Sequence, residues 1–373
     1  MARILLINLA IMAVVLIGLE LVFGTWFSRE HALYQFTQIR DQVIVRDNPL
    51  PPEIGGGKPT ITYSRDSYGF RGLDGPVSEV DILTVGGSTT DQRWVDDSQT
   101  YQAILQDLLA VQGYDVDVVN AGIDGQSTFG HIQNFPSWFD KIPDLKTDYI
   151  LYYVGINDML KINPEDIFDR MEQPSTIAML KGFIKEHSIF YQLYRVVQGL
   201  LADKPVQHEL TRTNIAENGP FVDKPVISDP LPPVMADSLQ GLQRRIGELD
   251  RLTRDFGAVP IFVTQRSARW LRVNGKPWGI PEYEPDFFES VRKHLPPEYA
   301  HLNGVDFFRF EQATARIIMD ECMARNAICF DLMNELDFDN AVDFYDAIHT
   351  TPSGSDRIAD YLAKKISDEI FLN

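Results

Sequence analysis

Ile82-Leu83-Thr84-Val85-Gly86-Gly87-Ser88-Thr89-Thr90 joins a short apolar run to two glycines, a serine and two threonines. Ile82 to Val85 is rich in β-branched residues and follows the polar Glu79 and Asp81, so it reads as a buried strand. Gly86 and Gly87 allow a sharp turn at its carboxyl end. In parallel α/β sheets that edge is where ligands bind, and a serine held there is a candidate nucleophile.

Working outward, Tyr101, Ile104, Leu105, Leu108 and Leu109 fall on one face of an amphipathic helix closed by Gly113. Asp115 to Val119 is the second predicted strand and leads into Asn120-Ala121-Gly122-Ile123-Asp124-Gly125. Asp148 to Val154 is the third, almost continuously apolar as a central parallel strand should be, and it ends in Gly155-Ile156-Asn157-Asp158. A helix over Met235 to Phe256 feeds a strand at Val259 to Val263. A helix over Glu311 to Arg325 precedes the last strand, Ile328 to Leu332. The alternation predicts a three-layer α/β/α sandwich around a mostly parallel five-stranded sheet. Thr351 and Pro352 suit the cap and first position of a final helix, whose buried stripe is Ile358, Leu362 and Ile366.

Two stretches break the rhythm, near 160–233 and 265–305, and read as insertions shaping the site. The first holds a helical pattern from Phe183 to Leu201; the second holds Trp270 and Trp278. Before the core, Ile4 to Phe27 is apolar except for Asn8 and Glu20, long enough for a transmembrane helix. A cleaved signal peptide competes, but no small-x-small site follows the run, so an uncleaved anchor over 1–27 is expected, with the body outside the cytoplasm on the periplasmic side. A juxtamembrane helix from Ser28 to about Val45 and a linker rich in proline and glycine complete the segment 28–75; the main α/β domain, with its two insertions, is expected over 76–373.

Composition narrows the partners. A net charge of −19 over 373 residues repels polyphosphates, so nucleic acid is not an expected partner. The two cysteines, Cys322 and Cys329, form no ligand cluster, and no metal or cofactor is expected. They read first as two small apolar core residues, with a disulfide as the alternative.

A serine hydroxyl needs a base, and a histidine base needs a carboxylate on its other nitrogen. Of seven histidines, only His349 has a carboxylate, Asp346, three residues earlier in a loop beyond a predicted strand. His131 is the runner-up, although on its helix it is expected to pack or face solvent. The Gly125 loop offers a backbone N–H and Asn157 a side-chain amide to a developing oxyanion. Each feature alone has an ordinary explanation: a turn at Gly86–Thr89, a helix cap at Asn157 and Asp158, a surface pair at Asp346 and His349.

Together, in this order, the four blocks resemble the SGNH (GDSL-type) hydrolases: Gly86-Gly87-Ser88, Asn120 to Gly125, Gly155-Ile156-Asn157-Asp158 and Asp346-Ala347-Ile348-His349. The resemblance implies a flavodoxin-like fold. It makes Ser88 the nucleophile, His349 the base and Asp346 its orienting acid, with Ser88, Gly125 and Asn157 as the oxyanion donors. A closer likeness is to bacterial membrane-anchored members, through the N-terminal run, Gly69-Phe70-Arg71-Gly72 and the Gly-Gly-Ser-Thr form of the first block. Two departures stand out. Gly87 replaces the aspartate of the name-giving motif, and Asp91-Gln92 stands where an apolar residue and a glycine are expected, adding negative charge near the site. The function this implies is a serine esterase cleaving an ester, acetyl among the candidates, from a carbohydrate, lipid or cell-envelope substrate, small molecule or polysaccharide. The alternatives are a catalytically weak envelope scaffold that binds a glycan or partner enzyme, and an O-acyltransferase using the same residues.

Overall fold

In the computed structural model, residues 2–23, 26, 42–164, 169, 188–191, 193–194, 220–281 and 302–372 are described. The chain divides into two compact units, Met1–Gln38 with Glu172–Glu209, and Ile39–Met171 with Leu210–Asn373.

The larger unit is built on five strands. β3 (Val80–Gly86), β4 (Val118–Asn120), β5 (Thr147–Val154), β6 (Val259–Thr264) and β9 (Ile328–Phe330) form one sheet in the order β4-β3-β5-β6-β9. Every pairing in it is parallel. The five-stranded α/β sandwich expected from the sequence is therefore present. The strand order reverses direction at β3, the switch point where a doubly wound sheet opens a crevice at its carboxyl edge.

Both faces of the sheet are covered, which is why its strands read as continuous apolar runs. Successive side chains of a strand point to opposite faces, and β5 shows the split. Leu151 and Tyr153 join a core cluster with Ile82, Tyr101, Leu105, Leu109, Ile358 and Leu362. This layer contains α3 (Tyr101–Val111) and α8 (Pro352–Ile366). Tyr152 points the other way, stacks on Phe262 and hydrogen-bonds Thr253 at 2.6 Å. Thr253 lies on α5 (Pro233–Phe256), which packs against α4 (Thr128–Ser137) and α6 (Gly304–Ala324).

Local signals set the helix ends. Thr100 caps α3 through Ala103 N–H, and Asn303 and Asp306 form a reciprocal capping box on α6. Thr351 caps α8 with Pro352 at its start, as the sequence predicts. The region after Gln265 contains a hairpin, β7 (Trp270–Val273) with β8 (Lys276–Gly279). Most of the helical pattern from Phe183 to Leu201 lies outside the described residues.

Three expectations are corrected. The helix expected up to Val45 is absent at its end: β1 (Gln42–Asp47) is a strand, paired antiparallel with β2 (Thr60–Arg65), because alternating Val43 and Val45 favour the extended chain; residues 28–41 lie outside the described set. Cys322 and Cys329 are not separate core thiols; they are joined in a disulfide that ties the end of α6 to β9. The third correction concerns the N-terminus. α1 (Ala2–Phe23) is helical, yet among the described residues no helix is long and apolar enough to cross a membrane; the side chains of residues 5, 6, 9 and 10 stand outside that description. The carboxylate of Glu20, inside its last turn, is held by Trp26 Nε1 at 3.1 Å, Ile189 N–H at 3.0 Å and the Ser188 hydroxyl. The membrane as a partner and a domain held on the periplasmic side rested on that span and lose their support with it; the anchored subtype, which drew also on Gly69–Gly72 and the Gly-Gly-Ser-Thr block, loses the feature that defines it.

Candidate active site

Ser88 opens α2 (Ser88–Asp91), the short helix into which β3 turns. The turn demands glycine. A Cβ on Gly87 would stand 2.3 Å from Asn157 Nδ2 and 2.7 Å from the Gln126 carbonyl oxygen. Any side chain at this position, the aspartate of the name-giving motif included, would push those two loops away from Ser88. Gly87 thus exchanges a loop-ordering carboxylate for close contact between three loops.

Across the carboxyl edge of the sheet, His349 Nε2 lies 2.7 Å from Ser88 Oγ, and His349 Nδ1 lies 2.6 Å from Asp346 Oδ2. The spacing Asp-x-x-His has a local cause. Asp346 Oδ1 accepts the N–H groups of Ile348 and His349, both at 2.8 Å. One carboxylate oxygen folds the loop while the other holds the ring. With Nδ1–H donated to Asp346, the Nε2 lone pair is left facing the Ser88 hydroxyl. Burial raises the Asp346 pKa, but the adjacent His349 ring and the hydrogen bonds outweigh it, so the group is held below the ordinary carboxylate value. The imidazole also stacks on Tyr345, ring centroids 5.6 Å apart and nearly parallel. Ser88, Asp346 and His349 are each partly exposed among buried neighbours, so the row is reachable from solvent.

The other two expected donors lie alongside. Asn157, in the 3-10 turn after β5, donates from Nδ2 to the Gln126 carbonyl at 2.8 Å, which leaves its second amide hydrogen for a ligand. Gly125 sits beside Gln126 with φ of +80°, a left-handed turn, in the loop that Ile123 N–H ties to the Gly86 carbonyl at 3.0 Å. His131, the alternative base, is buried on α4; desolvation pushes its pKa down to about 4, and it is His349, not His131, that meets the Ser88 hydroxyl. Among the described residues no cluster of His, Cys, Asp or Glu could hold a metal ion.

Asp91 does not add free charge to the site. Its carboxylate is paired with the fully buried Arg65 at 2.5 Å and accepts the Tyr63 hydroxyl at 2.9 Å. Gln92 is likewise turned inward. Its amide donates to Thr350 Oγ1 at 3.1 Å and Ser355 Oγ at 2.6 Å and accepts Tyr101 N–H at 2.8 Å. The loop bearing Ser88 is thereby joined to the residue that follows His349.

Two supporting groups, Gln265 and Arg245, are invisible in the motifs. Gln265, just past β6, accepts Ile156 N–H at 2.9 Å and donates to Thr89 Oγ1 at 2.8 Å and Tyr153 O at 3.0 Å. Asp158 accepts Thr128 N–H at 3.1 Å and pairs with Arg245 of α5 at 3.3 Å, fixing the Asn157 turn to the start of α4. The one signal for Gln265 was its place, a polar residue at the carboxyl end of an apolar strand. Arg245 had none.

Known proteins show likenesses to parts of this chain. Residues 82–218 match the family described as GDSL-like Lipase/Acylhydrolase. The GDSL-like region carries the first three blocks; Asp346 and His349 lie beyond it. The match spans 137 of the 373 residues, so it is a likeness of that segment to the family. A curated relative, Esterase TesA of Pseudomonas aeruginosa, is 35% identical over 80 residues, which is 21% of this chain and 38% of the relative. The chain therefore spans little more than a third of that relative's length. Among solved structures, the crystal structure of TesA is 16% identical, covers 77% of this chain and 98% of its own, and has a TM-score of 0.39. An acetyl xylan esterase, AlAXEase, is 12% identical with 77% and 100% covered and a TM-score of 0.38. Scores this low decide nothing about activity, and none of these matches supports a membrane-anchored variant.

Proposed function

We propose that this protein is a serine esterase that cleaves a carboxylic ester through an acyl-Ser88 intermediate. The observation that carries the reading is the row Ser88 Oγ, His349 Nε2, His349 Nδ1, Asp346 Oδ2, with gaps of 2.7 and 2.6 Å at its two ends. Ser88 Oγ attacks the ester carbonyl carbon as His349 Nε2 takes its proton. Asp346 keeps the ring oriented and stabilises the imidazolium. The oxyanion forms against the N–H groups of Ser88 and Gly125 and the Asn157 amide, donors fixed before reaction. His349 returns the proton to the departing alcohol. Water, deprotonated by the same nitrogen, then releases the carboxylic acid and restores Ser88.

The substrate is an acyl ester, acetyl included, of a carbohydrate or lipid alcohol. The cell-envelope setting drew on the N-terminal span and is not retained. The test is hydrolysis of p-nitrophenyl acetate together with labelling by a fluorophosphonate. Ser88→Ala is expected to abolish labelling and lower kcat by about 10⁴-fold or more. A Ser88→Ala protein that turns over at the wild-type rate removes this assignment.

A further inference from the structure

The mouth of this site carries a cation that its own fold does not neutralise. Arg46, on β1, lays its guanidinium on the Trp94 ring, 3.9 Å from the centroid, and donates from Nη2 to the Arg93 carbonyl oxygen. Its Nε is buried and has no hydrogen-bond partner. No carboxylate lies within ion-pair distance of Arg46 among the described residues. Arg93, beside it, reaches one carboxylate, Asp124, at 3.8 Å, too long for a hydrogen bond. The nearby acids are otherwise engaged: Asp91 by Arg65, Asp97 by Arg71 and Asp96 by Lys58. In a chain with 53 acidic and 34 basic residues, an arginine left without an acid is unexpected.

Its position ties it to the reaction. Trp94, under Arg46, belongs to the same apolar cluster as Tyr345, and the Tyr345 ring stacks on His349. Arg93 directly follows Gln92 in the Ser88 loop, and Asp124 directly precedes Gly125. The two guanidinium groups therefore stand at the rim where the nucleophile loop, the glycine loop and the His349 loop meet. A guanidinium presents several donors in one plane and suits a carboxylate or phosphate. Both arginines are partly exposed, so an anion reaching them stays in contact with solvent and escapes full desolvation.

We propose that Arg46 and Arg93 form a subsite for an anionic group, carboxylate or phosphate, carried by the ester substrate. This rests on the esterase reading above and narrows its substrate class. The overall negative charge repels such substrates at a distance, and the subsite acts only at short range, where two cations outweigh Asp124.

The probe is 4-acetoxybenzoate, compared with its neutral methyl ester, in calorimetric titrations of the Ser88→Ala protein, in which neither is consumed. The anion is expected to bind roughly ten-fold more tightly than the methyl ester, as one charge-assisted contact provides. Arg46→Gln or Arg93→Gln in the same background should remove that preference, while Arg46→Lys retains part of it. Equal or undetectable affinities for the two probes, or a preference that survives both glutamine variants, overturn the subsite. The esterase reading is judged separately, by turnover of p-nitrophenyl acetate in wild type against Ser88→Ala.

Discussion

Single residues set the geometry around Ser88 by what they leave out as much as by what they supply. Gly87 lacks the aspartate of the family's name, and the space that a Cβ would fill is taken by Asn157 Nδ2 and the Gln126 carbonyl. Gly87→Ala should leave the sheet intact but displace the Asn157 turn from Ser88. Because an error of about 1 Å in such a site costs on the order of 10²-fold, kcat is expected to fall by about that factor with KM little changed. Steady-state kinetics on p-nitrophenyl acetate measure it, and a wild-type kcat would show that the loops part without consequence. Burial at His131 has a different reach. Its pKa is pushed down to about 4 by desolvation, against the attraction of Asp158 and Asp169. The unfolded chain binds that proton near pH 6.5, the folded chain only near 4. Stability therefore falls as pH drops from about 6.5 to 4 and levels off below, a loss of up to about 3 kcal/mol. Urea titrations at pH 7 and 4.5 should show a smaller acid loss for His131→Phe than for wild type; equal losses would place the proton uptake on another group.

At the scale of elements, polar struts decide how four separate loops stay in register. Gln92 holds the Ser88 loop to the start of α8, and Gln265 holds it to the Asn157 turn. The two amides span segments far apart in sequence, so neither could be recognised from local pattern. Gln265→Leu leaves Ile156 N–H and Tyr153 O unpaired in a buried place. That should cost about 1–3 kcal/mol, and it should lower kcat by more than it changes KM, since Thr89 and Ile156 flank Ser88 and Asn157. Denaturant midpoints and steady-state kinetics on the same preparation separate the two effects. A stability loss with unchanged kcat would make Gln265 structural alone.

For the molecule as a whole, the hairpin β1–β2 is joined to the sandwich through buried charge. Arg65 bonds Asp91, the Gly69 and Gly122 carbonyls and the Tyr63 hydroxyl while fully buried. Removing one partner strands the other. Asp91→Leu is expected to destabilise by about 3–5 kcal/mol, and Arg65→Met with Asp91→Leu to recover part of that. Thermal melts of the single and double variants test this; a double variant that adds the two losses in full would mean the pair is not coupled. The same pair explains why the excess of acid after Ser88 in the sequence does not reach the site as free charge. A carboxylate's charge is visible in the chain, but its neutralisation by a residue 26 positions earlier is not.

The amino-acid sequence by itself determined the α/β alternation, the approximate course of all five strands, and the four loops that converge on one sheet edge. Strand periodicity, glycine turns and the Asp-x-x-His spacing are local properties, and local sterics and hydrogen bonding suffice to produce them. Tertiary structure alone decided the rest. It paired Ser88 with His349 across 261 positions, turned Asp91 and Gln92 inward as struts where the chain reads as extra charge near the site, closed the Cys322–Cys329 bridge and laid Arg46 on Trp94. It also removed the basis for a membrane span. Each of these depends on which distant group occupies the low-dielectric space beside a polar side chain, and that is fixed only when the layers pack.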